Sequence, residues 1–586
     1  MTIADKLQNA LQLHQSGNLA DAGLLYQEIL REDPDQVDAL NLLGVVLSTA
    51  GKMDAAITLL SRACELAPDF AGPFVNLGNV LQAMGRLDEA VDAFQKGLTL
   101  APEQAETANN LASALNALGR HEEALNSCTQ ALAGNPNLGA AHVNMGNALL
   151  AMDNAKEAVS SYKKALELNP ADSTAHFDLG NAQMKLEKFD AAHGSYTRAV
   201  SLDFSNAEKH YNLGNACQAL DRFDEAISAY DKAIEINPGY IDAICNRGAT
   251  LQKMDRVDEA IAALRSALEG EPASPDLHWN LSLALLQNGD YAEGWAEYEW
   301  RWQTPTFLAY ARDFGAPRWD GEALQGRTLL IDAVQGFGDA LQFIRYAALV
   351  AAGQDGRIIV ECRPQLNRLF SAMPEVDACI DLGAELPAFD LYCPLMSLPH
   401  VLGDSVPRVP ADAPYVRVPE GVPVDTRITD AAGLKVGLAW AGSPTRVDNH
   451  KRSCPIGELA PLTQVPGVTL FSLQVGKHRQ DMDDLPDGHG IVDLADDLGD
   501  FADTAAAVAA LDLVISVDTS VLHLAGALSK SAWGLMSKPT GFLWQTDRTD
   551  SPWYPSIKLY RQPQAGNWTD MIGTVAADLA QMAADN

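Results

Sequence analysis

The sequence predicts an all-α array of helix pairs in its first half and two α/β halves in its second. Three observations point to this division: a 34-residue pattern that recurs about nine times, a later alternation of apolar strands with helices, and a length of 586 residues, which allows a repeat array and at least one further domain. We expect repeats over 1–304, a linker over 305–326, and α/β halves over 327–425 and 426–586.

The repeats are recognised by small residues and prolines at fixed positions. One slot holds Gly44, Gly78, Gly146, Gly180, Gly214 and Gly248, with Ala112 and Ser282 in two further repeats. Small side chains at this slot let two helices approach closely, and a proline after the second helix stops each repeat on schedule. The pattern resembles the tetratricopeptide repeat, a helix–turn–helix unit that stacks into a superhelix with a long concave groove.

An asparagine column runs through the repeats, two positions before the small-residue slot. Its members are Asn76, Asn110, Asn144, Asn212, Asn246 and Asn280. A second set lies three residues on, on the same helical face: Asn79, Asn147, Asn181 and Asn215. Asparagine is a mediocre helix former, so its recurrence at one helical position needs a reason.

Two interpretations of the column are open. The amides bond between adjacent repeats, or they pair in the groove with the backbone of a bound protein, since each amide offers a donor and an acceptor. We favour the second because the column overrides a low helix preference. The column also resembles the asparagine ladder of the O-linked N-acetylglucosamine transferases, whose repeats clamp extended protein segments. Leu42 and Asp178 interrupt it, so we expect the ladder to run from the third repeat to the ninth.

The composition excludes several partners and compartments. A formal net charge of −35 and a pI of about 4.6 argue against a nucleic-acid partner or an anionic membrane surface. The N-terminus has the pattern of a repeat helix rather than a signal peptide, and no apolar run approaches a membrane span. The eight cysteines form no C-x-x-C pair, which is typical of free thiols in a reducing compartment. We expect a cytoplasmic protein without membrane insertion.

The second half alternates apolar strands with helices, which predicts α/β units. The predicted strands are Thr328–Ala333, Arg357–Glu361, Leu391–Cys393, Leu434–Trp440, Val468–Leu473, Leu511–Val517 and Ala532–Met536. A segment without a clear element, Val406–Val424, bridges the two halves, and a helix over Asn567–Ala584 ends the chain. Two α/β halves of similar size predict a cleft, because ligands of such sheets bind at the carboxyl ends of the strands.

The first chemical motif follows the first predicted strand. Its glycines, Gly336 and Gly338, allow a tight strand-to-helix turn and a close ligand approach. Asp339 would project from the first helical turn into the cleft, or it would only cap the helix and complement its dipole. The residues that we expect in the cleft around it are Gln335, Gly336, Gly338, Gln342 and Arg345.

The second motif follows the apolar strand LDLVISV and begins a helix. Backbone N–H groups of Thr519, Ser520 and Val521 would lack helical partners there and would point at an anion such as a phosphate. His523, one turn further on, would add a hydrogen-bond donor or a positive charge, or it would be a core histidine under the helix.

The third motif follows the strand LKVGLAW. It supplies the Ser443 hydroxyl and the cations Lys451 and Arg452 to the same edge of the sheet as the second motif. In so acidic a chain a local cationic pocket would concentrate a negatively charged donor. The alternative is a solvated loop.

The second half resembles the glycosyltransferase domain that is fused to tetratricopeptide repeats in many bacterial proteins and is related to the heptosyltransferases of lipopolysaccharide assembly. The resemblance rests on QGFGDALQFIRYA, VGLAWAGSP, NHKRS, LDLVISVDTSVLHLAGA and DSPWYPS. It implies the GT-B fold, in which two Rossmann-like domains face each other across a cleft. It also implies a nucleotide-sugar as donor substrate and catalysis without a metal or another cofactor.

The same resemblance implies roles for individual residues. Asp339 would be the general base. The donor phosphate site would be formed by Asp518, Thr519, Ser520, Val521 and His523. Ser443, Lys451 and Arg452 would neutralise the leaving group, and Gln474 would contact the nucleotide.

With the repeats in front, the whole chain resembles the flagellin-modifying glycosyltransferases of alphaproteobacteria. This implies inverting transfer of a sugar, such as the nonulosonic acid pseudaminic acid, to Ser or Thr of flagellin held by the repeats. Two alternatives stay open. One is a catalytically weak adaptor or chaperone for flagellin or another protein, because Val334 and Gly541–Trp544 depart from the pattern of relatives. The other is transfer to a glycan acceptor.

One further motif competes with this interpretation. Asp481 and Asp483 form a D-x-D of the kind that holds a metal and a nucleotide in another glycosyltransferase fold. The motif lies in an acidic loop, so we interpret it as solvated surface and expect no metal there.

Overall fold

The computed structural model describes residues 2–308, 311–352, 354–403, 409–444, 449–486, 488–546 and 548–585. It forms two compact units, Met1–Ala243 and Ile244–Asn586, which we call the N-terminal and the C-terminal unit. The predicted linking segments 305–326 and Val406–Val424 lie partly outside the described residues.

The first three hundred residues form helix pairs at the predicted spacing. Their bounds are α1 (Ile3–Gln15), α2 (Leu19–Glu32), α3 (Val37–Thr49), α4 (Met53–Leu66), α5 (Ala71–Ala83), α6 (Leu87–Leu100), α7 (Ala105–Ala117), α8 (His121–Gly134), α9 (Gly139–Ala151), α10 (Ala155–Leu168), α11 (Ser173–Lys185), α12 (Phe189–Leu202), α13 (Ala207–Ala219), α14 (Phe223–Ile236), α15 (Ile241–Lys253), α16 (Val257–Gly270), α17 (Pro275–Asn288) and α18 (Tyr291–Tyr298). Within the N-terminal unit each helix packs on its partner and on the next repeat, so the prediction of an all-α repeat array is confirmed.

A glycine in the first helix of a repeat makes room for a tyrosine in the second. A Cβ atom on Gly146, Gly180 or Gly214 would lie 2.5 Å from Cε1 of a tyrosine ring. The rings belong to Tyr162, Tyr196 and Tyr230, which are buried. The glycine at this slot is therefore a packing requirement of these three repeats.

The remainder of the chain contains the predicted α/β elements. Their bounds are α19 (Pro305–Leu308), β1 (Thr328–Ala333), α20 (Phe337–Phe343), α21 (Arg345–Ala351), β2 (Arg357–Cys362), α22 (Pro364–Phe370), β3 (Ala378–Asp381), β4 (Leu391–Pro394), α23 (Leu398–Leu402), α24 (Thr426–Thr429), β5 (Leu434–Ala439), α25 (Asn449–Arg452), α26 (Ala460–Thr463), β6 (Val468–Ser472), β7 (Ile491–Asp493), α27 (Phe501–Ala510), β8 (Leu513–Val517), α28 (Ser520–Ala527), β9 (Ala532–Met536), β10 (Ile557–Arg561) and α29 (Trp568–Ala584). Short 3-10 helices lie at Glu299–Gln303, Leu395–Ser397, Ile456–Leu459, Lys477–Asp484, Ala495–Asp497 and Phe542–Trp544.

Two parallel sheets organise these elements. The strand orders are β3-β2-β1-β4 and β10-β9-β8-β5-β6-β7, and the paired strands run parallel throughout. Because β8, β5 and β6 are neighbours, the loops after them meet at one edge of the second sheet. The second and third motifs lie in loops at this edge, which is where α/β folds bind ligands.

The last repeat shares a hydrophobic core with the α/β elements of the C-terminal unit. The Trp295 ring packs edge-on against Phe343 of α20 at 5.5 Å between centroids, and Tyr291 packs against Trp553 at 5.7 Å. The Tyr291 hydroxyl also accepts a hydrogen bond from Gln545 Nε2 at 3.0 Å. The compact units therefore separate within the repeats, whereas the predicted domain boundary after residue 304 marks the change from helix pairs to sheets.

Replacing Gly180 with Ala should destabilise the N-terminal unit by about 1–3 kcal/mol, because the new methyl group overlaps the buried Tyr196 ring. Gly194→Ala is the matched control on the next helix, where a Cβ atom would meet nothing within 4 Å. It should be neutral or stabilising by up to about 1 kcal/mol, since Ala is the better helix former. Urea unfolding followed by circular dichroism measures both. A control that loses as much stability as Gly180→Ala would contradict this account.

Candidate functional site

The first motif forms the predicted turn between β1 and α20. Gly336 caps α20, and Asp339 lies in its first turn, half-buried. Gly338 meets His523 of α28 so closely that a Cβ atom on it would lie 2.9 Å from the imidazole Cδ2. Glycine is thus required at this position, and it brings the helix that carries Asp339 onto the helix that carries His523.

Asp339 also lies near the last repeat. Burial raises the pKa of the Tyr298 phenol, and the charge of Asp339 contributes to the same shift. Tyr298 is the last residue of α18. The candidate base therefore has the end of the repeat array as a neighbour within the C-terminal unit.

Two residues that were predicted to lie in the cleft, Gln342 and Arg345, are buried. Gln342 is fully buried, and neither atom of its side-chain amide makes a hydrogen bond with the described residues. Arg345 is 3% exposed and donates to the carbonyls of Pro410 and Trp553 and to the Tyr415 hydroxyl. The prediction that they line the cleft surface does not fit this burial. Arg345 instead ties α21 to segments of both α/β halves.

The rest of the turn is held by Arg363, which directly follows β2. The Gln335 carbonyl accepts a hydrogen bond from Arg363 Nε at 3.0 Å, and the Arg363 guanidinium lies over the Phe337 ring. The side-chain oxygen of Gln335 is buried without a hydrogen-bond partner among the described residues. The turn that presents Asp339 is therefore fixed by main-chain and aromatic contacts.

The second motif forms the start of α28. Thr519 is the N-cap in extended conformation, and its hydroxyl lies 2.9 Å from Ser516 Oγ. Thr519 and Ser520 are half-buried, whereas Val521 is buried and packs in the core. The first backbone N–H groups of a helix have no helical partner, so this start suits an anion.

Asp518 and Arg452 form an ion pair at the same edge of the sheet. Arg452 Nη2 contacts the Asp518 carboxylate and donates to its backbone carbonyl at 3.0 Å. Burial alone would raise the pKa of Asp518, but Arg452 and His523 outweigh burial, and the net pKa lies below its ordinary value. Asp518 is therefore a carboxylate that orients Arg452.

His523 is buried and neutral near pH 7. Burial lowers the pKa of its imidazole to about 4, although the Asp518 carboxylate opposes the shift. Nδ1 lies 2.9 Å from the Tyr554 hydroxyl, and Nε2 lies 3.8 Å from Asp518 Oδ1. This burial fits the core histidine that the sequence left open. Of the two ligand roles predicted for His523, a positive charge does not fit a neutral ring, and the role of hydrogen-bond donor stays a prediction.

Gln474 shapes the third motif from the neighbouring strand. Its Oε1 accepts from the backbone N–H groups of Trp440 and Ala441 at 3.1 and 2.9 Å, and its Nε2 donates to the Ala441 carbonyl at 3.1 Å. The amide thus holds the loop that leads to Ser443, and its contact with a nucleotide stays a prediction. Ser443 and Lys451 are both exposed.

The loop with the D-x-D motif is not simply solvated. Asp481 Oδ2 accepts a hydrogen bond from Trp440 Nε1 at 3.1 Å and lies 3.0 Å from His478 Nδ1. The other ring nitrogen of His478 lies 3.3 Å from Asn449 Nδ2. This correction makes Asp481 part of a side-chain network beside the third motif, which its acidic surroundings in the sequence had concealed.

The asparagine column bonds within the array. Nδ2 of Asn76, Asn110 and Asn144 donates to the side-chain oxygen of Asn41, Asn79 and Asn109, at 2.8 to 2.9 Å. Nδ2 of Asn212 and Asn280 donates to a carbonyl of its own helix. The alternative of bonding between repeats therefore holds for three members.

The second asparagine set has a structural role that the sequence did not predict. The hydroxyls of Tyr162, Tyr196 and Tyr230 donate to the side-chain oxygens of Asn147, Asn181 and Asn215, at 2.7 to 2.8 Å. Each tyrosine thus packs on the glycine slot and bonds to the asparagine that follows it. The sequence signal that could have predicted this role is a Gly-Asn pair in the first helix of a repeat together with a Tyr in its second helix.

Comparison with known proteins agrees with the repeat pattern. Family models described as tetratricopeptide repeat match residues 13–72, 69–137, 103–171, 149–199, 207–240 and 245–299. The first half of the chain consists of tetratricopeptide repeats. Every helix in the described ranges is too short or too polar to span a bilayer.

Three proteins illustrate the similarity. Protein FlbA of Caulobacter vibrioides is 29% identical over 337 residues, a match that covers 51% of this chain and about half, 54%, of FlbA. PilF of Pseudomonas aeruginosa is 22% identical, with a TM-score of 0.33, and the match covers 35% of this chain and 94% of PilF. YrrB, a tetratricopeptide repeat protein with an unusual peptide-binding site, is 24% identical, with a TM-score of 0.28, and the match covers 31% of this chain and 95% of YrrB.

The low pKa of His523 predicts a pH-dependent stability. As the pH falls from 6.5 towards 4, the unfolded chain protonates this imidazole while the folded chain does not, so protons favour unfolding. From this group the free energy of unfolding should fall by about 2 kcal/mol between pH 7 and pH 5. Urea unfolding of the C-terminal unit, followed by tryptophan fluorescence at both values, measures the loss.

His523→Gln should remove that part of the pH dependence, and the exposed His400→Gln should retain it. A His523→Gln protein with the pH dependence of the wild type would show that the imidazole is not held neutral by the fold.

Proposed function

We propose that this chain is a protein O-glycosyltransferase that transfers a sugar from a nucleotide-sugar to a Ser or Thr hydroxyl of a protein held by its repeats. The observation that carries the proposal is the contact of Gly338 with His523. Asp339 directly follows Gly338, and the start of α28 lies one turn before His523. A candidate base and an anion-binding helix start thus lie close to one contact.

The chemistry that suits these groups is a single displacement. The acceptor oxygen attacks the anomeric carbon while Asp339 takes its proton. The bond between the anomeric carbon and the phosphate oxygen breaks, and its electron pair leaves with the nucleotide. The sugar gains oxocarbenium character and its anomeric configuration inverts.

Charge on the leaving phosphate would be stabilised mainly by the helix start. The N–H groups at Thr519 and Ser520 supply donors, and the neutral His523 supplies one more through its imidazole. Arg452 is already paired with the Asp518 carboxylate. The pair fixes the orientation of the guanidinium, and its two charges largely cancel. Lys451 on the exposed side of α25 would supply the remaining positive charge.

Two parallel sheets with chemistry at their carboxyl edges support a GT-B arrangement as part of this proposal. Tetratricopeptide repeats are protein-binding arrays, which supports a protein acceptor. Flagellin as that acceptor, and a nonulosonic acid such as pseudaminic acid as the sugar, rest on the family resemblance of the sequence.

Asp339→Asn should lower transfer by at least about 100-fold, because the amide cannot accept the acceptor proton. Asp570→Asn is a matched control, since Asp570 is also an acid in the first turn of its helix but lies in α29, far along the chain from the motif. The control should retain transfer. Intact-mass analysis of flagellin incubated with enzyme and nucleotide-sugar measures both.

Full transfer by Asp339→Asn would assign Asp339 to helix capping and refute the base. If wild-type protein binds flagellin stably and never adds mass to it, with the host's sugar pathway present, the adaptor function replaces the transferase.

The repeat amides should act on acceptor affinity. The side-chain amides of Asn76, Asn110 and Asn144 each donate one hydrogen bond to a neighbouring repeat. No described residue donates to the side-chain oxygens of these three asparagines. The triple change to Asp keeps an acceptor oxygen but removes the N–H groups, whereas the triple change to Ala removes both. The Ala variant should raise the KM for the protein acceptor at least about tenfold with little change in kcat.

Asn126→Ala, on the exposed face of a second helix, is the control and should leave the KM unchanged. Thermal unfolding of every variant separates loss of the inter-repeat bonds from loss of binding. An unchanged KM in a folded Ala variant would remove these amides from acceptor recognition.

A further inference from the structure

Two apolar columns of the repeats are interrupted at the same junction. One position of the first helix holds Leu in seven repeats but Gln183 and Cys217 in the other two. One position of the second helix holds Gly23, Ile57, Val91, Leu125, Val159, Ile227, Ile261 and Trp295, but His193 in the sixth repeat. Most other repeats stack with apolar residues at these two positions. The stacking of helices therefore does not itself require a thiol or an imidazole at either position.

Two of these three exceptions, His193 and Cys217, meet a carboxylate in the N-terminal unit. His193 lies on α12, Cys217 on α13 and Glu225 on the first turn of α14. Their ligand atoms all lie within 4.8 Å of one another. Among the described residues this is the one group of three potential metal-binding side chains with that spacing.

One of the ligand-atom distances matches what a tetrahedral ion requires. Zn²⁺ binds sulfur at about 2.3 Å and nitrogen or oxygen at about 2.0–2.2 Å, which places neighbouring ligand atoms about 3.5 Å apart. His193 Nε2 and Glu225 Oε2 are 3.6 Å apart. The nearby cation Arg222 is turned to Asp190, with 3.2 Å between Nη2 and Oδ1.

We propose that His193, Cys217 and Glu225 bind one Zn²⁺ ion that braces the junction of the sixth and seventh repeats. A thiolate, an imidazole and a carboxylate form the mixed soft and hard donor set that this ion accepts, with a water molecule as the fourth ligand. The buried thiol loses its proton to solvent when the ion binds. The ion links three successive helices, so it acts on the stability of the array and not on the transfer chemistry.

Tag-free full-length protein, stripped with a chelator and reloaded with ZnCl₂, tests the proposal. Elemental analysis after dialysis should find one Zn²⁺ per chain, and the unfolding midpoint of the repeats should rise. Replacement by Co²⁺ should give the absorption of a cobalt–thiolate bond in a tetrahedral field.

The variants use residues that other repeats already carry. Cys217→Leu and His193→Val restore the apolar columns, so they should fold, bind at least about tenfold less Zn²⁺ and unfold at the same temperature with or without it. Cys128→Ala removes an equally buried thiol outside the group and should bind like the wild type. Equal uptake by Cys217→Leu and wild type would overturn the proposal. Absence of Zn²⁺ uptake by the wild type would also overturn the proposal. The presence of His193 and Cys217 would then be explained by packing, with a large side chain at residue 193 compensating for a small one at residue 217.

Discussion

The packing of the last repeat against α20 is the contact on which the candidate site depends. Trp295, Tyr298 and Phe343 belong to one buried core, which continues into β1 and α28. Removing one such ring typically costs about 3–5 kcal/mol, so the end of the repeats is fixed to the helix that carries Asp339. Arg301 strengthens the attachment. It is 2% exposed, stacks on Tyr298 and donates to Ser397 Oγ at 2.7 Å. A repeat array joined by a loose linker would deliver a bound protein anywhere, whereas this junction gives the last repeats a defined position beside the candidate base.

A second constraint is the absence of a side chain at Gly338. The space for a Cβ atom is taken by the His523 ring, so the two α/β halves approach each other here more closely than any other residue would permit. The same contact keeps water from the imidazole, and this burial lowers its pKa. Packing, protonation and the candidate chemistry are therefore linked. The imidazole is neutral because α20, Trp544 and Tyr554 bury it, and α20 can approach it because residue 338 is glycine.

The sequence predicted element order well and side-chain direction less well. All seven predicted strands exist with bounds within two residues, because buried parallel strands are continuous apolar runs. The strands β3, β7 and β10 were missed, and each forms the edge of its sheet or has few residues. Gln342 and Arg345 were assigned to the cleft from their places after a strand end, and Gln474 was assigned to the nucleotide from the family resemblance. The position of a residue along the chain does not show whether its side-chain amide faces a ligand or a neighbouring loop. The side-chain oxygen of Gln474 accepts hydrogen bonds from the backbone N–H groups of Trp440 and Ala441.

The repeats supply what single domains lack, an internal comparison that separates packing from other demands. Where several repeats share a residue, the structure gives a packing reason, as with the glycine under Tyr196 and the asparagine that its hydroxyl reaches. Asn110 belongs to a polar residue that recurs, and its side chain still has a donor and an acceptor beyond its bond to Asn79. The contacts between repeats therefore explain only part of why an asparagine recurs at this position. Where one repeat departs from eight others, as at His193, the other repeats show that stacking does not require an imidazole at that position. The proposals for the asparagine column and for the His193 group thus rest on one principle: in an array of equivalent positions, a polar side chain points to a ligand only where neither stacking nor its hydrogen bonds within the array account for it. Gln183 is the contrasting case, because its side-chain oxygen accepts a hydrogen bond from Ser195 Oγ at 2.7 Å.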